Sequence, residues 1–263
     1  MAAVKEGILS MALFTIHSFS RVLGRAVTVL ALIPQKPAPE NGFPTLWLLH
    51  GSSDDESIWL RRTSIERYAD ERGLAVIMPG VHHSCYTDMT HGLPYYTFVT
   101  EELPAVMRDT FPLSSAREDN YIAGLSMGGE GAFKLGLANP DRYSAIGCFS
   151  AGAFNHPWVD DPDPEKQKWA FMRYAGKTLD GIPEDCFGNA KRILSEGKPV
   201  PRIYHAIGDK DFLLNAAYET KNFFEALPGN PFGYVFEEHP GAHTWSFWDE
   251  HIQRFFLFLD GKL

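Results

Sequence analysis

Short apolar blocks alternate with amphipathic stretches along most of the chain. Residues 45–49, 74–79, 121–123, 143–150 and 202–207 are near-continuous apolar runs, the pattern of strands covered on both faces of a parallel sheet. Residues 11–17 and 25–33 are rich in β-formers and joined by a turn at 20–25, which predicts a leading hairpin. Residues 34–44 carry prolines and a glycine and read as a loop. Residues 234–236 are the last strand. Between the blocks the period changes to that of helices. Residues 58–72 place Trp59, Ile65 and Tyr68 on one face and Arg61, Arg62, Glu66 and Arg67 outside, and Gly73 ends the run. Residues 96–111 form a second helix, with Pro104 a local break. Further helices are expected after residue 126, at 223–227 and at 246–259. The last presents Phe247, Ile252, Phe255, Phe256 and Leu259 to the core and His251 to solvent.

This alternation predicts one α/β domain over residues 11–263, with a mostly parallel sheet and helices on both faces. Residues 1–10 are an extension. Residues 151–201 interrupt the alternation with Trp158, Trp169, Phe171 and Phe187, several prolines and the acidic run 160–165. They are expected to form a helical insertion over the site, with the acidic run a solvated loop rather than a calcium site.

Composition narrows the partners. The formal net charge is −9 and no basic run offsets it, which argues against nucleic acid. The three cysteines are far apart and odd in number, so neither a zinc motif nor a disulfide framework is expected, and a cytoplasmic location is. No apolar run approaches the ~18 residues of a membrane span, and no signal-peptide pattern is seen.

The chemistry centres on Gly124-Leu125-Ser126-Met127-Gly128, a G-x-S-x-G motif preceded by a strand pattern and followed by a helix pattern. Strand, sharp turn and helix are the context of a nucleophile elbow. Gly131 is expected to let the helix pack close to the strands. Upstream, the strand at 45–49 runs into His50-Gly51-Ser52-Ser53-Asp54-Asp55. One oxyanion N–H is expected from Ser52, with Ser53 the alternative, and a second from Met127. The plainer reading is a turn in which Asp54 or Asp55 caps a helix.

An acid and a base must follow Ser126 in the chain. Asp209 and Asp211 both lie at the end of the strand at 202–207. Asp211 is favoured because Phe212-Leu213-Leu214 places it at a loop–helix junction. His239, His243 and His251 are the candidate bases, and His243 is favoured because it sits in a loop that Trp245 could wall. Trp59, Phe154 and Trp245 are placed at the substrate pocket. His82, His83, His91 and Asp88 match no ligand spacing and are expected to line the site mouth without a metal. Glu101 and Glu102 read as a solvated helix face.

Several stretches together resemble a known family: HGSSDDESIW, TSIERYADERGLAVIMPG, YTDM, TFVTEELPAVMRDTFPLS, AGLSMGGEGAFKLGLANPDRYSAIGCFSAG, GDKDFL and HPGAHTWSFW. They are similar to the tributyrin-esterase branch of the esterase D-like α/β hydrolases, a group that includes S-formylglutathione hydrolases. The similarity runs from about Met11 to the C-terminus. Ser52 departs from the glycine often found after His-Gly. The resemblance implies an α/β-hydrolase fold, a Ser126–His243–Asp211 triad, oxyanion N–H groups from Ser52 and Met127, no cofactor and homo-oligomerisation. It also implies activity on short acyl esters, acetyl to butyryl, with a small-molecule or saccharide ester as substrate. The alternatives are an S-formylglutathione-type thioesterase, a feruloyl esterase, an acyltransferase, or a non-catalytic binding protein on the same fold.

Overall fold

The computed structural model describes residues 10–153, 162–175, 177–178 and 181–263. Eight strands form one sheet in the order β1-β2-β4-β3-β5-β6-β7-β8. They are β1 (Met11–Ser20), β2 (Arg25–Pro34), β3 (Thr45–Leu49), β4 (Ala75–Pro79), β5 (Asn120–Leu125), β6 (Ala145–Phe149), β7 (Arg202–Gly208) and β8 (Val235–His239). β1 and β2 form an antiparallel hairpin, β2 runs antiparallel to β4, and every pairing from β4 to β8 is parallel. The α/β-hydrolase fold follows from this: the parallel strands send all their carboxyl ends to one edge.

The central strands are apolar on both faces because both faces are covered. In β3, Trp47 and Leu49 join one core cluster while Leu46 and Leu48 join the other, as a period of two requires. One cluster packs under α5 (Met127–Ala138) and the other under α9 (Trp245–Leu259).

The helices depart from the sequence pattern in three places. Residues 58–72 divide into α1 (Ile58–Arg62) and α2 (Ile65–Asp70). Thr63 is extended, and its hydroxyl donates to Trp59 O at 2.6 Å while accepting from Ile65 N at 3.2 Å. A side chain thus competes with the helix ladder. The second helix forms as α3 (Tyr95–Thr97), a π-helical turn over Phe98–Glu102, and α4 (Leu103–Thr110). Pro104 cannot bond to Thr100 O, and the Arg142 guanidinium donates to that carbonyl instead. Glu102 does not face solvent as a free carboxylate. It accepts from the Ser20 hydroxyl and from the backbone N–H of Arg21 at 2.7 Å, pinning the β1–β2 turn.

Between β6 and β7 lie α6 (Pro164–Tyr174) and α7 (Cys186–Ser195). Asp163 caps α6 by accepting from Glu165 N at 2.9 Å. α8 (Leu214–Glu225) takes in Phe223 as expected and ends two residues before Leu227. Among the described residues no helix is long and apolar enough to cross a membrane.

Candidate active site

β5 leads directly into α5 through Ser126, whose φ is 51° and ψ −121°. A non-glycine residue in this region is strained and is held there by its surroundings. Here the Ser126 N–H donates to Phe149 O at 2.9 Å. Gly128 makes the turn sterically feasible: a Cβ on it would lie 2.5 Å from Leu49 O and 2.7 Å from His50 O. The first turn of α5 therefore sits directly on the end of β3. Met127 is the first residue of α5, so its N–H has no intrahelical acceptor and the positive end of the helix dipole faces the Ser126 turn. Gly131 serves a different neighbour from the one expected. A Cβ there would meet the Tyr86 ring at 2.5 Å, so it admits a loop side chain rather than a strand.

The loop after β3 is braced by its histidine. Val81 N donates to His50 Nε2 at 3.1 Å, which leaves Nδ1–H to donate to Gly51 O at 2.7 Å. Both ring nitrogens are thus committed to the neutral form, and burial lowers the His50 pKa to about 4. The Tyr86 hydroxyl donates to His50 O at 3.0 Å. Ser52 follows on this braced turn. Asp55 accepts from Ser57 N at 2.9 Å just ahead of α1, whereas Asp54 turns toward Gly51 and Ser126.

At the end of β7, Asp211 is buried and accepts from His243 Nδ1, at 2.9 Å to Oδ2 and 3.0 Å to Oδ1. Burial pushes the Asp211 carboxyl up, but hydrogen bonds from His243, the Leu213 amide and the Ser150 hydroxyl outweigh it and hold the pKa below the usual carboxylate value. Asp209 instead accepts from Gly241 N at 2.9 Å, lacing the two loops together. Phe212 and Trp248 flank the His243 ring at 4.4 and 5.0 Å between centroids. Ser126, His243, Ser52, Ser53, Trp245 and Trp248 share the walls of one cavity of about 370 Å³.

Three further expectations meet the structure differently. Trp59 is fully buried behind the cavity wall: its ring abuts Trp245 edge-on at 5.3 Å, and its Nε1 donates to Leu49 O at 3.0 Å. It supports the wall rather than lining it. Phe154 lies outside the described residues, as does Trp158. His251 is buried, not solvent-facing, because it shares the inward stripe of α9 with Phe247 and Phe255. Its Nδ1 pairs with the Tyr204 hydroxyl at 2.7 Å, and burial lowers its pKa to about 3.

The histidine loop does not form a ligand set. His82 abuts Tyr95, while His83 and His91 stack on Trp169 and Phe171 of α6 at 5.3 and 4.8 Å. The Arg173 guanidinium donates to His83 O at 3.0 Å and His91 N donates to Met172 O at 2.9 Å, so α6 docks on this loop through hydrogen bonds as well as rings. Asp88 accepts from Thr97 N at 2.9 Å. Among the described residues one group has metal-ligating atoms within reach of each other, His239, Glu250 and His251, within 4.8 Å. There His251 is already engaged by Tyr204 and His239 lies 3.8 Å from Glu237.

The sequence reading missed two features. Ser150, at the end of β6, accepts from Trp248 Nε1 at 2.8 Å and reaches Asp211, joining that carboxylate to the wall. Its positive φ of 51° repeats that of Ser126. Lys134, inside the apolar run of α5, is buried. It donates to Cys85 O at 2.6 Å and Thr87 Oγ1 at 2.7 Å, and so ties the elbow helix to the loop after β4.

The esterase family described as "Putative esterase" matches residues 20–259. The chain belongs to this esterase family. An acetyl esterase of Caldicellulosiruptor saccharolyticus is 30% identical over 261 residues, which cover 94% of this chain and 97% of that one. The solved structure of FphF, a fluorophosphonate-binding serine hydrolase of Staphylococcus aureus, is 30% identical with a TM-score of 0.85, covering 95% of this chain and 98% of that one. An S-formylglutathione hydrolase (FrmB) of the same organism is 32% identical with a TM-score of 0.79, at the same coverage. The esterase is thus a carboxylic ester hydrolase related to serine hydrolases and to the esterase D-like group.

Proposed function

We propose that this esterase hydrolyses short acyl esters, acetyl to butyryl, through Ser126 as nucleophile, His243 as base and Asp211 as its orienting acid. The observation that carries the reading is the Asp211–His243 hydrogen bond, made beside a positive-φ Ser126 on the wall of the same cavity. With Nδ1–H donated to Asp211, the His243 Nε2 lone pair is the one left to accept the Ser126 proton. The serine oxygen attacks the ester carbonyl. The alcohol leaves with the proton from Nε2, and an acyl-enzyme remains. Water, deprotonated by the same nitrogen, then releases the acid and restores Ser126. The backbone N–H groups of Ser52 and Met127 stabilise the oxyanion, each typically worth about 3–4 kcal/mol of barrier. No step calls for a cofactor.

A short acyl group suits a cavity walled by Trp245, Trp248 and Phe212, and the acetyl esterase relative spans nearly the whole chain. The docking of α6 on the histidine loop supports residues 151–201 as a cap beside the mouth. Three buried free cysteines suit a reducing, cytoplasmic compartment. Thioester hydrolysis of the S-formylglutathione type is the second reading, favoured by the 32% identity to FrmB.

Turnover of p-nitrophenyl esters from acetyl to decanoyl tests the proposal, with Ser126→Ala beside the wild type. Fast turnover of the short esters, lost by roughly 10⁴–10⁶-fold in the variant, is expected. Activity that survives in the variant would remove Ser126 from the mechanism. Failure of a fluorophosphonate probe to label folded wild type would point to a non-catalytic binding protein.

A further inference from the structure

The cavity that holds Ser126 and His243 has a charged wall that the hydrolytic route does not use. Asp54 lines it, and also lines a second cavity of about 290 Å³ together with Arg25, Thr28, Asp55, Glu56 and His82. A methyl placed on Gly51 would lie 2.9 Å from Asp54 Oδ2 and 3.7 Å from Ser126 Cβ. The carboxylate and the nucleophile therefore flank the same glycine. Three carboxylates, Asp54, Asp55 and Glu56, line the second cavity with Arg25, and of the two arginines whose charge reaches Asp54, Arg61 pairs with Asp55 at 3.5 Å and Arg62 lies exposed at the surface. Partial burial raises the Asp54 pKa, the mark of a carboxylate less well hydrated than one at the open surface.

We propose that Asp54 is a specificity-determining residue of this esterase: its carboxylate favours esters that are neutral or cationic around the reacting carbonyl and rejects those that carry a carboxylate there. The inference rests on Ser126 being the nucleophile. A half-buried like charge is poorly screened, so a substrate carboxylate brought beside Asp54 is repelled more strongly than at an exposed surface. A hydroxyl there instead donates a hydrogen bond to the charged acceptor. The consequence is a ranking of substrate classes. An acetylated polyol offers hydroxyl donors and suits the wall. A glutathione thioester carries two carboxylates and does not.

The test compares substrates that differ in charge. In the first pair, m-acetoxybenzoate carries an anionic leaving group and m-acetoxyphenyl-trimethylammonium a cationic one. In the second, p-nitrophenyl hemisuccinate carries an anionic acyl group and p-nitrophenyl butyrate a neutral one. Each kcat/KM is divided by the ester's alkaline hydrolysis rate, which removes intrinsic reactivity. The wild type is expected to disfavour the anion by about tenfold in at least one pair. Asp54→Asn, or Asp54→Ser should the first variant not fold, should bring that ratio to within about threefold of unity. Asp54→Glu should keep the preference. A wild type that ignores charge in both pairs overturns the proposal without any variant, as does a preference that persists in the Asn or Ser protein. Undiminished hydrolysis by Ser126→Ala would instead strike at the nucleophile assignment, so the two failures are distinguishable.

Discussion

His50 sets a pH limit on the loop that carries Ser52. Its Nε2 accepts from Val81 N and its Nδ1–H donates to Gly51 O, so protonation must break the first bond inside a buried site. With a pKa of about 4 in the fold against the ordinary 6.5, protonation costs about 3 kcal/mol more in the folded chain than in the unfolded one. The sign follows from linkage. The unfolded chain takes up the proton first as the pH falls, so the stability contribution is complete above about pH 6.5 and is lost on descending toward about pH 4. Near pH 5 the unfolded state holds about 0.9 more proton at this residue, which gives a slope of about 1.2 kcal/mol per pH unit. His50→Gln keeps an acceptor for Val81 N–H but cannot titrate. Urea unfolding followed by circular dichroism at intervals from pH 7.5 to 4.5 measures the slope of stability against pH. The variant's slope should be shallower by about 1.2 kcal/mol per pH unit around pH 5. His205 and His251 are also buried with lowered pKa values and contribute equally to both proteins, so the difference isolates His50. Equal slopes would refute the argument that His50 is neutral and doubly hydrogen-bonded in the fold.

Two further substitutions probe the frame around the site. Ser150→Ala removes the hydroxyl between Trp248 and Asp211. It is expected to lower kcat/KM for p-nitrophenyl acetate by about tenfold, the effect of about one hydrogen bond. It should act on kcat rather than on KM, since Ser150 holds the Asp211 carboxylate and does not line the cavity. A loss confined to KM would mean that Ser150 does not act through Asp211. Gly131→Ala places a methyl 2.5 Å from the Tyr86 ring. It should destabilise the fold by about 1–3 kcal/mol in a denaturant titration, and a neutral result would show that Tyr86 has room to yield.

The elements easiest to read from the sequence were those whose environment is uniform. β3, β4 and β6 are buried throughout and almost wholly apolar because helices cover both faces, so their patterns are nearly free of ambiguity. The elbow was legible for a related reason: G-x-S-x-G is informative only between a strand and a helix, and both flanks carry their own signals. What escaped depended on partners distant in the chain. Thr63 breaks a good helical pattern with a hydroxyl bond that no propensity predicts. Glu102 looks like half of a solvated pair until the β1–β2 turn arrives beside it. His251 is polar, yet its position four residues from both Phe247 and Phe255 places it on the buried stripe, and that spacing was the available signal.

Ser150 shows how far the topology could have been pressed. β5, β6 and β7 are consecutive parallel neighbours, with Leu125 opposite Phe149 and Phe149 opposite Ala206. The residue that follows β6 must therefore emerge between those that follow β5 and β7. Ser126 follows β5 and Asp211 lies just beyond β7. A polar residue at position 150 thus stands between the Ser126 turn and Asp211 by strand order alone. Strand order cannot say which way its side chain points. Trp248 settles that, because α9 crosses the same edge of the sheet and its indole N–H requires a buried acceptor. The Ser150 hydroxyl takes that bond with its oxygen and directs its own proton to Asp211. The wall of the cavity and the carboxylate bonded to His243 are consequently held by one atom.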